Sequence, residues 1–342
     1  MSNPAEDSMR LGHLAKRGVA TAAAVIAGGL LFGFVYQRVA ERYERGNLPR
    51  PGRLVDVGGH RLYLSCTGEG SPTVVLDSAL GVVSYSWTPI QAEVSRFTRV
   101  CSYDRAGYGL SDPGPLPRTS KQLASELHSL LGTAEEAGPY VLVGHSLGGL
   151  TIRLFTQAHP AEVAGLVLVD SASENAEAHL TPELRPLMMP PLTQMKFAGV
   201  LAEFGMHRIV LSMRKGRGST EAQRAAALNL RRRAYIQAAI GELEALPLST
   251  EQVRSAGKLG DRPLIVLTRG PVHPGEAPRG VSPAIYENFE RIWRTEIQAT
   301  MVGLSTRGEQ RFAKHSGHMI PQEEPEAVID GIREVVSRTR LR

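Results

Sequence analysis

The sequence has few of the residues that mark metal sites and disulfide-rich folds. It contains only two cysteines, Cys66 and Cys101, and no C-x-x-C spacing, so it offers no cysteine-based zinc motif. No Lys-Ser or Lys-Thr pair follows its glycine-rich loops, which excludes a phosphate-binding P-loop. The basic runs at 231–233 and 338–342 lack the aromatic residues and motifs of a nucleic-acid-binding surface. We therefore expect no metal, no organic cofactor and no nucleic-acid partner.

The composition is otherwise that of an ordinary globular protein. Hydrophobic residues make up 42% of the 342 positions, charged residues make up 21%, and the net charge is +5. This length suits two average domains or one large α/β domain. The mild positive charge favours, at most, attraction to an anionic membrane surface.

One long apolar run lies near the N-terminus. Residues 18–36 carry no charge, and as a helix they would span about 28 Å, close to the thickness of a bilayer core. The small residues at 21–24 stand at the start of the run, whereas a signal-peptide cleavage site stands at its end. Basic residues flank both ends, so the orientation is left open. We predict a tail over 1–17, a single transmembrane anchor over 18–36 and a linker over 37–52.

Beyond the linker, strand-like runs alternate with helical patterns, which is typical of a parallel sheet covered on both faces. Strands are predicted at 53–57, 61–65, 73–76, 99–103, 141–143, 165–169, 263–268 and 310–314, and helices at 87–94, 121–137 and 323–336. Between 171 and 258 only helix-favouring runs occur, at 192–204, 220–239 and 240–246. We therefore predict a core formed by 53–170 and 259–342, with a helical insertion over 171–258.

The insertion begins with an apolar, methionine-rich stretch. Such a surface can line an adaptable pocket, although ordinary core packing is an equally good interpretation. The candidate pocket residues are Met188, Met189 and Trp87. If the pocket interpretation holds, the substrate is small and apolar.

The most specific motif is Gly144-His145-Ser146-Leu147-Gly148, which follows a valine-rich strand and precedes a helical pattern. A G-x-S-x-G motif in this context is a nucleophile elbow, whose glycines permit a turn tight enough to present the serine hydroxyl. That hydroxyl needs a base to accept its proton. The base should follow the last strand, where His318 is our candidate. His315, nearer the strand, is interpreted as a structural residue.

The chain from about Arg53 to Arg342 resembles the α/β-hydrolase superfamily. The residues that carry the match are Gly144 to Gly149, Tyr103-Asp104-Arg105-Ala106-Gly107-Tyr108-Gly109-Leu110-Ser111, and Ser316-Gly317-His318 with Pro321 and Pro325-Glu326. The resemblance implies an α/β fold with a mostly parallel eight-stranded sheet flanked by helices and a helical cap. It implies Ser146 as the nucleophile and His318 as the base.

The sequence departs from the family pattern at two places. The usual His-Gly after the third strand is replaced by Ser78-Ala79, and the spacing puts Leu80 in the donor position. The predicted oxyanion hole is then the backbone N–H groups of Leu80 and Leu147.

The second departure concerns the acid. No aspartate follows the seventh strand, where most members carry it. Asp170, at the end of the strand 165–169, matches a location that some members use, and Glu276 is the alternative. The fold also brings the strands of Cys66 and Cys101 side by side, so both a disulfide and two buried thiols remain open. A disulfide would put the catalytic domain on the oxidising, extracytoplasmic side of the membrane.

These features predict a membrane-anchored serine hydrolase of the carboxylesterase or lipase type, acting on carboxylic esters through an acyl-enzyme. The alternatives are hydrolysis of thioester, lactone or carbon–carbon bonds, or a non-catalytic binding protein with the same fold. Ser146 argues against the dehalogenase and epoxide-hydrolase branches of the family, which use an aspartate nucleophile. The sequence leaves the oligomeric state open.

Overall fold

The computed structural model describes residues 4–46, 51–188, 191–213, 227–271 and 277–341. Its centre is an eight-stranded sheet with the order β1-β2-β4-β3-β5-β6-β7-β8. The strands are β1 (Arg53–Asp56), β2 (Arg61–Thr67), β3 (Thr73–Asp77), β4 (Val100–Asp104), β5 (Tyr140–His145), β6 (Val163–Val169), β7 (Leu264–Arg269) and β8 (Gly308–Ala313). The pairs β1–β2 and β2–β4 are antiparallel, and all the other pairs are parallel. The predicted mostly parallel eight-stranded sheet is confirmed.

Helices cover both faces of the sheet. The described helices are α1 (Pro4–Gly46), α2 (Thr88–Val94), α3 (Ser120–Thr133), α4 (Leu147–Ala158), α5 (Arg185–Met188), α6 (Leu192–Glu203), α7 (Met206–Met213), α8 (Arg233–Glu244), α9 (Leu246–Arg254), α10 (Pro283–Ile292), α11 (Gln298–Val302), α12 (Ile320–Glu323) and α13 (Pro325–Arg340). The apolar faces of α3 and α4 pack on one side of the sheet, and those of α2 and α13 pack on the other. Because both faces are covered, the central strands are apolar at nearly every position.

The register of the central strands aligns their carboxyl ends. Asp77 of β3 pairs with Gly144 of β5, and His145 of β5 pairs with Val169 of β6. The chain segments that follow these three strands therefore leave the sheet at the same edge. In parallel α/β sheets this edge is where ligands bind.

The described residues between β6 and β7 are helical wherever they form regular structure. Helix α6 packs against α7 and α8, while α9 packs against the core helices α3 and α4. A helix was predicted to end at residue 239, but α8 runs to Glu244. Its end is set instead by Pro247 in the first turn of α9, because proline is favoured there and disfavoured in a helix interior.

Helix α1 is one continuous element that includes the predicted anchor. Its segment Lys16–Gly46 is long and apolar enough to cross a membrane. It continues past residue 36, so the first part of the predicted linker is helical. That extension docks on the insertion: Gln37 is fully buried, and Arg208 of α7 donates two 2.8 Å hydrogen bonds to Glu44.

The two cysteines lie opposite each other on neighbouring strands. Cys66 of β2 pairs in register with Cys101 of β4, with 4.0 Å between their Cα atoms, and the two form a disulfide. The bridge ties the antiparallel edge of the sheet to its parallel centre.

Candidate active site

Ser146 occupies the sharp turn between β5 and α4. Its backbone has φ 53° and ψ −117°, a strained conformation for a residue with a side chain. A Cβ on Gly144 would lie 2.6 Å from the Gly148 carbonyl carbon, and one on Gly148 would lie 2.6 Å from the Asp77 carbonyl oxygen. Only glycine fits both positions, so the close packing of the turn explains the motif spacing.

His318 and Asp170 are hydrogen-bonded partners. His318 Nδ1 lies 2.6 Å from Asp170 Oδ2, in a geometry that fixes the imidazole ring. The Asp170 side chain is fully buried, whereas the His318 side chain is 38% exposed. The histidine can therefore face a substrate while its carboxylate partner stays away from water.

Asp170 is held as an anion by the groups around it. Trp293 Nε1 donates to its Oδ1 at 2.8 Å, and a guanidinium nitrogen of Arg269 lies 3.5 Å from its Oδ2. Burial alone raises the pKa of a carboxyl group. Here the charge of Arg269 and the hydrogen bonds from His318 and Trp293 prevail over burial and lower the pKa of Asp170 to about 2.

His145 supports the loop that carries His318. Its Nε2 lies 2.8 Å from the His318 carbonyl oxygen, and the two rings are 5.0 Å apart. Burial, together with the neighbouring His318, lowers the pKa of His145 to about 3. A neutral His145 that donates its Nε2–H to this carbonyl therefore connects the nucleophile turn to the base.

The predicted oxyanion loop is held by a buried arginine. Arg105, in the loop after β4, donates to the carbonyl oxygens of Ser78 at 2.6 Å and Ala79 at 2.8 Å. These bonds fix the backbone just before Leu80. Leu147, the second predicted donor, begins α4, and its neighbour Gly148 packs against the Asp77 carbonyl.

Helix α8 reaches this loop from the insertion. Glu242 is fully buried and accepts hydrogen bonds from Arg105 at 2.8 Å and from Tyr108 at 2.7 Å. Tyr235 donates to the Gly81 carbonyl at 2.7 Å. The insertion thus contributes directly to the structure around the predicted oxyanion hole.

A family model described as the alpha/beta hydrolase family matches residues 74–330. The chain belongs to this family. In Gibberella zeae, a protein described as an AB hydrolase superfamily protein is 25% identical over 313 residues, covering 82% of this chain and 92% of that protein. Matches to several other curated relatives span less than half of their length, between 15% and 42%.

Solved α/β hydrolases share the fold. A Pseudomonas aeruginosa protein provisionally assigned as an epoxide hydrolase superposes with a TM-score of 0.64 at 20% identity, over 84% of this chain and 96% of that one. A provisionally assigned lipase from Acinetobacter baumannii superposes with a TM-score of 0.61 at 19% identity, over 90% and 97% of the two chains. At these identities the likeness shows the fold alone.

The other residues that the sequence singled out lie in different parts of this α/β hydrolase. Trp87 is 1% exposed in the core, where its Nε1 donates to Ser78 Oγ at 2.8 Å, so it does not lie on an open surface. Met188 ends the short helix α5, and Met189 and Glu276 lie outside the described residues. His315 is exposed, with its backbone N–H bound to Glu324.

Sequence reasoning missed the residues that surround Asp170 in this hydrolase. Trp293 lies in a π-helical turn, Trp293–Ile297, that continues α10, a helix that was not predicted. The sequence does carry the pattern of this helix, because apolar residues recur at helical spacing at Ile285, Phe289, Trp293, Ile297 and Met301. Such π turns are frequent at functional sites.

One cluster away from Asp170 and His318 could ligate a metal ion. Ligand atoms of His128, His159 and Glu162 lie within 4.8 Å of one another. Glu162 directly precedes β6, so the cluster lies at the opposite end of that strand from Asp170. The three side chains already contact one another, because His128 is hydrogen-bonded to Glu162 at 3.1 Å and its ring stacks on that of His159.

Proposed function

We propose that this chain is a serine hydrolase that cleaves carboxylic esters, with Ser146, His318 and Asp170 as its catalytic triad. The observation that carries the proposal is the 2.6 Å bond between His318 and a buried, ionised Asp170, which directly follows Val169, whose carbonyl oxygen accepts the Ser146 N–H at 3.1 Å. A histidine oriented in this way is suited to accept a serine proton. The serine nucleophile also separates this chain from aspartate-dependent epoxide hydrolysis.

The proposed reaction has two acyl-transfer steps. Ser146 Oγ attacks the ester carbonyl carbon while His318 Nε2 accepts its proton, and the N–H groups of Leu80 and Leu147 bind the oxyanion. The ester bond breaks, and the alcohol leaves with the proton from His318. Water then attacks the acyl-enzyme and gives its proton to His318. The bond between the acyl carbon and Ser146 Oγ breaks, the acid leaves, and His318 returns the proton to Ser146 Oγ. Asp170 remains ionised throughout and stabilises the imidazolium.

We further propose that α1 anchors the enzyme as a single transmembrane helix, with the catalytic domain on the oxidising side. Its apolar, exposed segment before Gln37 supports the first part, and the Cys66–Cys101 disulfide supports the second.

The test is an esterase assay of the full chain in detergent with p-nitrophenyl esters of two to sixteen carbons. We expect turnover that Ser146→Ala abolishes. The acyl chain length with the highest turnover then measures the length of the acyl-binding pocket. If the protein hydrolysed thioester or lactone substrates but not these esters, it would be a hydrolase of those bonds instead. A lack of turnover, together with a lack of labelling by a fluorophosphonate probe that reacts with activated serines, would favour a binding protein instead.

A further inference from the structure

A cavity lined by arginine lies where α1 meets the catalytic domain. Its volume is about 850 Å³. We call it the arginine cavity, after the six arginines among its lining residues: Arg38, Arg42 and Arg45 of α1, Arg61 of β2, and Arg232 and Arg233 at the start of α8. No step of the proposed reaction uses these residues.

The cavity carries an excess of positive charge. Among the described residues, three carboxylates pair with its arginines: Glu41, Asp112 and Glu203. The six arginines thus share three carboxylates of the described residues. Arg42 is exposed and contacts no acidic side chain in the described part of the chain.

Arg232 is the least compensated of the six. It is only 5% exposed, and its guanidinium donates to the Gly109 carbonyl and, at 3.4 Å, to Asn229 Oδ1. No described carboxylate forms a salt bridge with it, and burial lowers the pKa of Arg232. Nearby carboxylates attract it only from beyond salt-bridge distance, so its charge is incompletely compensated, and an anion in the cavity would relieve that cost.

The face of α1 below the cavity is apolar. Leu31, Phe34, Arg38, Arg42 and Arg45 recur every three or four residues, so they lie on one stripe of the helix. Leu31 and Phe34 are exposed within the apolar segment, and the Arg38 guanidinium stacks 4.3 Å from the Phe34 ring. The stripe thus changes from apolar to cationic where the predicted span ends. A soluble anion would contact only the cationic part of the stripe. A phospholipid can place its headgroup on the cationic part and its acyl chains on the apolar part.

We propose that the arginine cavity binds the phosphate headgroup of an anionic phospholipid whose acyl chains lie along Leu31 and Phe34. Guanidinium groups suit phosphate because their planar donors bind its oxygens in pairs. This inference rests on the transmembrane placement of α1 in the proposed function. A lipid held there would fix how the catalytic domain sits on the membrane.

The experiment is lipid retention by the purified full chain, measured by native mass spectrometry from detergent micelles. Phosphatidylglycerol and phosphatidylcholine of equal chain length are offered together, with and without millimolar inorganic phosphate. The site variant is Arg38→Gln with Arg42→Gln. Its matched control is Lys16→Gln with Arg17→Gln, which removes the same charge at the other end of the apolar segment. Thermal unfolding checks that both variants fold.

We expect the wild type to retain phosphatidylglycerol over phosphatidylcholine by roughly tenfold or more. The site variant should lose this preference, the control should keep it, and phosphate should not displace the lipid. Equal loss in both variants would show diffuse surface attraction, and displacement by phosphate would show a soluble-anion site. Either result, or no preference at all, would overturn the proposal.

A separate measurement tests whether α1 anchors the chain in the membrane. Alkaline carbonate extraction of membranes shows whether the full chain is integral. A chain that is extracted contradicts the anchor, whereas an integral chain without lipid preference contradicts only the arginine cavity as a headgroup site.

Discussion

At the scale of single residues, Asp170 differs from the other carboxylate near Arg269. Both Asp170 and Glu290 are buried and face this arginine, with Glu290 2.9 Å from its Nε. Only Asp170 also contacts His318. Its proposed role in catalysis is therefore separable from its role in balancing the charge of Arg269.

We predict that Asp170→Asn lowers kcat by roughly 10³- to 10⁴-fold, because the amide no longer stabilises the imidazolium or enforces its tautomer. Glu290→Gln is the matched control, since it removes a buried carboxylate beside the same arginine without touching His318. Its kcat should fall by less than about tenfold. Steady-state kinetics on one ester compare the two, and equal losses would remove Asp170 from the triad.

A second residue-scale prediction concerns acid stability. The pKa of His145 is about 3 in the folded chain, against 6.5 for an ordinary histidine. Below pH 6.5 the unfolded chain binds a proton that the folded chain does not bind until about pH 3. Stability attributable to His145 is thus fully present above pH 6.5 and is lost as the pH falls through this window.

His145→Gln should flatten that dependence, because glutamine keeps a donor for the His318 carbonyl but does not titrate. The midpoint of thermal unfolding, measured from pH 7 to pH 4, should fall less in this variant than in the wild type. His315→Gln, at an exposed position, is the control. An unchanged pH slope in His145→Gln would contradict the neutral, buried assignment.

At the scale of elements, the elbow depends on how closely β3 and α4 approach each other. We predict that Gly148→Ala destabilises the fold by about 1–3 kcal/mol, because its Cβ would lie 2.6 Å from the Asp77 carbonyl oxygen. Turnover should fall as well, since the same contact aligns the two predicted oxyanion donors. Gly132→Ala in α3 is the control, because its Cβ would meet nothing within 4 Å. Similar unfolding midpoints for both variants would argue against this account of the turn.

The sequence was sufficient to predict the elements whose signals are local. Buried strands appear as short apolar runs, so the sheet could be predicted. The elbow and the His318 loop are contiguous motifs, so Ser146 and His318 could be chosen as candidates from the sequence. The contacts around Asp170 could not be predicted in this way, because Trp293 lies 123 positions away in the chain. Similarly, nothing local to Arg105 indicates that its partner is Glu242 of α8.

At the scale of the whole molecule, the disulfide and helix α1 are the two features on which the proposed membrane placement rests. The disulfide closes a loop across a sequence separation of 35 residues. We predict that replacing Cys66 and Cys101 together by alanine lowers the free energy of unfolding by roughly 2–4 kcal/mol. Thermal unfolding with and without reductant measures this, and the double variant should not respond to reductant.

The same cysteines test the proposed placement of the catalytic domain on the oxidising side of the membrane. In cells lysed under denaturing conditions, both should resist alkylation until a reductant is added. Immediate alkylation would contradict placement of the catalytic domain on the oxidising side, while leaving the anchor itself untouched.

The most direct test of the central claim, that Ser146 is the nucleophile, is the intact mass of the full chain after a fluorophosphonate probe. We predict one added probe, mapped by peptide sequencing to Ser146 and absent in Ser146→Ala. His318→Ala should fold but label far more slowly, because no base accepts the serine proton. A probe on another residue, or equal labelling of Ser146→Ala, would contradict the serine mechanism.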